Sequence, residues 1–591
     1  MKNNSFSPLI TGYDKNSSNR EPNFFCRKIS GRAKRRAHAS PMSKISDAFA
    51  YTTFRAYGAS FLVFGLSAIS IQFAKTSLDI SPSSVYSTLI IGIIASLLGA
   101  FLLAFDKPIC IGFQEWRVAD YILYDFLRIS RTYAKEKRGI GTLAAVFFGM
   151  AAAASTYFFP AIYTVLAICS LTYIAISFAS PEFSLFFTLI VLPIIPAFSA
   201  GKLILCSLVL ICALSFWIKV FTGKRFYHFE QYDLVLFTML FVMLISGIFL
   251  GGTQSFTNAV IYIILAFGYF AASNMIKNRR LYESALTSIV ISSIPVSISC
   301  MVQFIHRSTS YPQSQNFTLT AFFTSSDALS AFLAISIICT YLMSKYKEKR
   351  PDGIFFTSIL FVEVIALMLS FRIDALLSIA ITTVIIIAAS RNKKAFALTI
   401  IVYLLLSFAS LFSRNILDWI QEINTPFAEL LGSRVDAFTE SCNMLFQNFF
   451  FGVGIGKEPF SEAILKLCGT TYQSSNNLIL QLACEGGILV PILFGILMLI
   501  RAKHTYTYFP YAHKSLTSAS LTMTGAVYAL LLIGIFSDIF SDQTIFFIFF
   551  TVFGIGSAML RTSKNEHDEK VGYFTDTLSL YSSSLNIHIN D

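Results

Sequence analysis

Long apolar runs separated by short polar breaks fill most of this chain. They fall at about 56–75, 84–104, 140–158, 161–178, 183–199, 202–220, 233–251, 256–275, 283–304, 322–343, 354–371, 374–390, 395–412, 476–500, 517–537 and 543–560. Most have the roughly 17–25 residues that cross a hydrocarbon core as a helix rising about 1.5 Å per residue. The pattern predicts an all-α fold, a polytopic transmembrane helical bundle of about 16 spans. Pro160, Pro193 and Pro196 make the segments around them the least regular. Residues 1–50 are polar, basic and rich in Ser and Asn, which predicts a disordered tail, and 561–591 form a second polar tail. Between the tails, spans at 51–319 precede a core at 320–560.

Composition strengthens this picture. Of 591 residues, 55% are hydrophobic and only 13% charged, and mean hydropathy is +0.65. A soluble domain carries about 25% charged residues because its surface faces water. Sixty phenylalanines add to an exterior that only lipid would accept. The net charge of +12 could suggest a nucleic-acid partner, but the placement of the basic residues has another explanation. With the N-terminus inside, inner segments hold 36 of the 45 Lys and Arg residues. This is the positive-inside asymmetry, and it predicts both termini in the cytoplasm of a multi-pass cell-membrane protein.

Two polar stretches stand apart. Residues 105–140 mix Trp116, Tyr121, Tyr124 and Phe126 with Arg117, Arg128, Arg131, Lys135, Lys137 and Arg138. They predict an amphipathic segment on the inner leaflet, held by membrane lipids. Residues 413–475 form the one long outer loop. Trp419, Phe427, Phe438, Phe446 and Phe449-Phe450-Phe451 make it apolar enough to pack, so it should be partly helical. Of the ten cysteines, only Cys442 and Cys468 share this loop, either as a disulfide or as two thiols.

No Walker loop, metal-ligand spacing or soluble-enzyme motif occurs, so no cofactor and no metal is expected. Gly452-Val453-Gly454-Ile455-Gly456 has the look of a dinucleotide loop but lacks the strand before it and the helix after it. The informative residues are charges near the predicted outer surface. Arg372 lies between two apolar spans and Arg434 lies early in the loop. A guanidinium keeps its charge and engages phosphate oxygens in pairs, which suits the diphosphate of a lipid-linked sugar. The purely structural alternative for Arg372 is a pair with Asp374 or contact with headgroups. Glu363 falls mid-span and would have to be protonated, paired or wet, as in a secondary transporter.

Four patterns then occur in order: Ser370-Phe371-Arg372-Ile373-Asp374-Ala375-Leu376, Gly432-Ser433-Arg434, Phe449 through Gly456, and Asn476-Asn477-Leu478-Ile479-Leu480-Gln481-Leu482-Ala483-Cys484-Glu485-Gly486-Gly487. Together they resemble the O-antigen ligase and O-antigen polymerase superfamily over about residues 320–500. The resemblance implies a metal-independent glycosyltransferase acting on a polyprenyl-diphosphate-linked oligosaccharide at the outer face. Polymerisation of surface polysaccharide is the first expectation, with a flippase and a chain-length regulator as partners. Transfer to a lipid or protein anchor is the alternative within the class, and a transporter or lipid-linked glycan flippase the alternative outside it. It implies diphosphate contact by Arg372 and Arg434, catalysis involving Glu485 and position 476, and substrate binding by Asn477, Gln481 and Gly454.

One position departs from the family pattern. Asn476 stands where ligases of the family carry a histidine, and an amide cannot accept a proton near neutral pH. Glu485, Glu440 or His306 could take that role, the transfer could run with little base assistance, or the protein could bind without turnover.

Overall fold

The computed structural model describes residues 48–77, 85–127, 140–223, 225–310, 319–347, 352–370, 372–391, 426–469, 472–508 and 514–562. They contain no β-strand, only one isolated bridge between Thr53 and Pro108. Among the described residues, nine helices are long and apolar enough to cross a membrane, and six shorter apolar helices accompany them. Each coincides with one of the predicted segments; the segment at 395–412 lies outside the described residues. Helices suit this environment because lipid offers no partner to a free N–H or C=O, so each backbone bond must close within its own segment.

The first group comprises α1 (Phe54–Ser77), α2 (Val85–Leu102), the short α3 (Ile109–Glu115), α4 (Thr142–Phe158) and α5 (Ala161–Ala179). Glycines let α1 approach α2 and α4 closely. A Cβ on Gly99 would lie 2.4 Å from the Leu62 nitrogen, and one on Gly149 would lie 2.4 Å from the Ser60 carbonyl. Phe64, Ala95 and Ala153 form a small core there, while Phe147, Phe148, Leu166 and Leu171 are exposed. Such a surface is stable only against lipid. Within 105–140, α3 and a π-helical turn at Asp120–Phe126 leave Trp116, Val118, Tyr121 and Ile122 exposed; residues 128–139 lie outside the described set.

The second group is α6 (Pro181–Val191, extended by a 3-10 turn to Ala197), α7 (Gly201–Phe221), α8 (Gln231–Phe249), α9 (Gly252–Met275), α10 (Arg279–Ser310), α11 (Ser326–Tyr346), α12 (Asp352–Leu369) and α13 (Ile373–Arg391). After the loop come α14 (Pro426–Gln447), α15 (Lys457–Cys468), α16 (Leu478–Gly486), α17 (Leu489–Tyr508), α18 (Lys514–Ile533) and α19 (Gln543–Thr562). One continuous core joins this group from Leu185 to Met559. Of the segment around α19, 94% is buried, so this last helix is the central post of the bundle. Charges close one end of the bundle, where Arg561 bonds Glu230 at 3.1 Å and Arg225 pairs with Glu182.

Two expectations change. The apolar stretch 476–500 is not one span. Gly487 adopts φ 78° and ψ 170°, which no helix tolerates, so α16 ends there and the span begins at Leu489. In the loop, α14 and α15 are helical and pack with α16 around Phe438, Met444, Phe460 and Ile464. Phe446, Phe450 and Phe451 are instead exposed by 65% or more, because they lie on the outer side of that small core. Trp419 and the side chain of Phe427 lie outside the described set.

Candidate functional site

The glycine run Gly452–Gly456 is a backbone clasp. Gly452, Gly454 and Gly456 all have positive φ, which turns the strand so that its N–H groups face the end of α16. The Val453 N–H donates to the Cys484 carbonyl at 2.8 Å and the Gly454 N–H to the Glu485 carbonyl at 3.2 Å. These are among the carbonyls that every helix end leaves without a partner. Side chains from α8 and α9 finish the clasp. The Ser246 hydroxyl contacts the carbonyls of Phe451 and Glu485, and Ser255 accepts from the Ile455 N–H at 2.7 Å. Asn258 donates to the Ile455 carbonyl at 3.1 Å. Gly454, expected at the substrate, lies within the clasp, where an added Cβ would meet the Ser255 hydroxyl at 2.8 Å.

At the other end of α16, Asn477 is the cap. Its Oδ1 accepts from the Leu480 N–H at 3.0 Å, and its Nδ2 donates to the Ile535 carbonyl at 3.0 Å. The Leu478 N–H donates to the Gly534 carbonyl at 2.7 Å, so α16 is docked on the turn after α18. Gln481 accepts from the Ser475 N–H at 2.9 Å and donates to Glu485 at 2.8 Å. Asn477 and Gln481 therefore build the helix and orient its carboxylate, where direct substrate binding had been expected. Asn476 is half-buried with φ 53°, a left-handed conformation that asparagine tolerates better than most residues.

Every residue of α16 is buried, Glu485 included. Burial, and then the nearby charge of Asp538, push the Glu485 carboxyl up to about 8. Asp538 itself was not a sequence candidate. It sits in Gly534-Ile535-Phe536-Ser537-Asp538-Ile539-Phe540-Ser541-Asp542, with no motif around it. The one signal was a pair of carboxylates in the break between two spans. Its side chain is buried, and neither carboxylate oxygen has a hydrogen-bond partner. Burial pushes it up to about 6; Lys457 and the nearby Ser541 hydroxyl and N–H oppose that shift, and Asp327 adds to it. Glu485, Asp538, Gln481, Ser541 and Tyr262 line a small cavity whose open volume is about 10 Å³. That is the space of one water molecule.

Arg372 stands at the same end of the bundle, between α12 and α13. Its Nε and Nη2 hold Asp374 at 3.0 and 2.6 Å, and its Nη1 pairs with Asp327 and reaches the Ser326 hydroxyl at 3.5 Å. Burial alone would weaken the cation, but Asp374 and Asp327 hold its pKa above the ordinary value. Asp327 is also the charge that acts on Asp538, so arginine and acid pair are electrostatic neighbours. Arg434 lies on α14, and its side chain is outside the described set.

The remaining candidates separate from this cluster. Glu440 lies beside Cys468, whose thiol it helps raise, after burial, to about 11. No disulfide joins Cys442 and Cys468. His306 is exposed near the end of α10. Glu363 is fully buried on α12, where Ser293 and, at 3.0 Å, Thr340 donate to it. No group of three or more metal-ligating side chains occurs among the described residues.

Residues 356–495, from α12 through the clasp and α16 into α17, match the family model described as O-Antigen ligase. The chain carries an O-antigen ligase domain. No curated protein matches the chain. The ligase domain contains Arg372, Arg434, Asn476, Asn477, Gln481 and Glu485, whereas Asp327 on α11 and Asp538 in the break after α18 lie outside it. A membrane enzyme of polysaccharide assembly, with a lipid-linked polysaccharide as substrate class, follows from the domain.

Proposed function

We propose that this protein takes a glycan from a polyprenyl-diphosphate carrier at the outer face of a bacterial cell membrane and passes it to an acceptor hydroxyl, polymerising surface-polysaccharide units. The observation that carries this reading is the ligase domain, whose α16 brings Glu485 to the end of the bundle that holds Arg372. Charge asymmetry along the chain supports placing that end outside and both termini in the cytoplasm.

The chemistry asks for charge stabilisation more than for activation. Diphosphate already leaves readily, and a guanidinium meets the charge that grows on it as the anomeric bond breaks. At rest the Arg372 fork is engaged, so the diphosphate must displace one of its carboxylates. Asp327 is the one to yield, since its side chain is 24% exposed against 11% for Asp374, which holds two of the fork's nitrogens. Arg434, on the helix above, supplies the second cation in this reading. The spans before residue 320 serve the site too, because α8 and α9 hold the clasp.

Joining the glycan to a lipid or protein anchor would use the same machinery with another acceptor; Asn476 in place of the family histidine favours polymerisation. A flippase and a chain-length regulator are the partners such a polymerase would need. Glu363 lends little to transport, since hydroxyls from α10 and α11 already satisfy one of its oxygens. The test is purified protein with a lipid-diphosphate repeat unit, with products resolved by gel. A ladder supports polymerisation, one shifted band supports anchoring, and no covalent product defeats the transferase reading.

A further inference from the structure

We propose that Asp538, which lines one water-sized cavity together with Glu485, accepts the proton of the transfer and that Glu485 positions it. This inference rests on the transferase reading above and supplies the group that Asn476 cannot provide.

Most carboxylates around the site are already committed. Asp374 and Asp327 hold Arg372. Asp542 accepts from the Thr324 hydroxyl at 2.7 Å and from the Thr544 N–H at 2.9 Å, at the start of α19. Glu363 is tied to hydroxyls inside a span, and Glu440 lies beside Cys468. Asp538 is different. It is 93% buried, since only 7% of its surface is exposed, and both oxygens lack a partner. A carboxylate in that state is costly unless water reaches it, and the cavity beside it has room for about one water. Gln481 fixes Glu485 across that cavity.

The two carboxyls are set to opposite protonation states. Glu485 titrates at about 8 and Asp538 at about 6, so near neutral pH Glu485 carries a proton and Asp538 is ionised. The groups facing them come from every element around the cavity. Lys457 at the start of α15 favours both anions, and Asp327 at the start of α11 opposes ionisation of Asp538. Tyr262 of α9 lines the cavity but is committed to the Phe540 carbonyl at 3.0 Å. Glu458 and Asp542 lie beyond it.

The step balances simply. The acceptor hydroxyl oxygen bonds to the anomeric carbon, and the bond from that carbon to diphosphate oxygen breaks. The bonding pair leaves with polyprenyl diphosphate. The hydroxyl proton passes through the cavity water to Asp538, and Glu485 stays protonated as a positioning residue that donates toward the same water. Ionised Glu485 would compete for the water's hydrogens and slow the step.

Steady-state rates of the purified full-length protein with lipid-diphosphate repeat unit, from pH 5 to 9, test this. The wild type should lose rate below an acid limb near 6 and above an alkaline limb near 8. Asp538→Asn should lower kcat about 100-fold or more with little change in KM for the lipid-linked glycan, and Asp538→Glu should recover part of it. Glu485→Gln should keep the acid limb and lose the alkaline one. An active wild type with a flat profile between pH 5 and 7, or an Asp538→Asn protein with wild-type kcat, overturns the pair while leaving the transferase reading intact. A wild type that forms no product overturns both. The wild-type profile and Glu485→Gln decide the matter even if Asp538→Asn fails to fold.

Discussion

Replacing Gly487 by alanine should break the site without touching any of its side chains. Gly487 sits at φ 78° and ψ 170°, a region open essentially to glycine alone, and holding another residue there costs about 1–3 kcal/mol. An added Cβ would also lie 2.0 Å from the Phe450 carbonyl oxygen and 2.9 Å from the Phe451 nitrogen. Backbone cannot swing aside as a side chain can, so the clasp must open. Opening it strains the 3.0 Å bond from the Ile488 N–H to the Phe449 carbonyl and the neighbouring bonds of Val453 and Gly454. At about 0.5–1.5 kcal/mol each, losing one or two brings the total to about 1.5–6 kcal/mol. Gly469 is the matched control. It has φ 72° and ψ 5°, but nothing lies within 4 Å of its added Cβ, so alanine there costs only about 1–2 kcal/mol. Thermal unfolding in detergent should give Gly487→Ala the larger fall in Tm. It should also lose transfer activity, because the clasp holds the end of α16 that carries Glu485. Equal Tm shifts for the two variants, or full activity in Gly487→Ala, would refute the clasp argument.

Three further outcomes follow from the same geometry. Asp327→Asn should lower KM for the lipid-linked glycan by freeing one arm of Arg372, and a raised KM would show that Asp327 does not yield to the diphosphate. Glu485 should impose a pH dependence on stability. Its carboxyl rises from 4.5 unfolded to about 8 folded, so stability is full below pH 4.5 and declines as pH rises to 8. Tm should therefore fall less over that interval in Glu485→Gln than in the wild type, and parallel curves would count against a protonated Glu485. Arg434→Ala should abolish polymer while the protein stays in the membrane; unchanged polymer length and yield would remove Arg434 from the site.

Hydropathy found the helices because the preference of a side chain for lipid is local and adds along the chain, so a window of twenty residues carries the answer. The break at 487 was hidden from the same window. Gly486-Gly487 are apolar enough to pass as span, and only the carbonyl of Phe450 pressing on that position shows why a glycine is required. The motif residues were also visible, since Arg372, Asn477, Gln481 and Glu485 fall within the matched domain. Their division of labour was not. The family resemblance implies that Asn477 and Gln481 meet the substrate, and the structure adds that both make hydrogen bonds that hold α16 and its carboxylate.

The chain by itself therefore settled an all-helical membrane architecture and the ligase-like segment, because both are written in runs of neighbouring residues. Packing alone brought Asp538 to Glu485 across fifty-three positions, and Asp327 to Arg372 across forty-five. Charges on separate helices influence each other only once the bundle has closed and removed the water between them, and no reading along one dimension contains that distance.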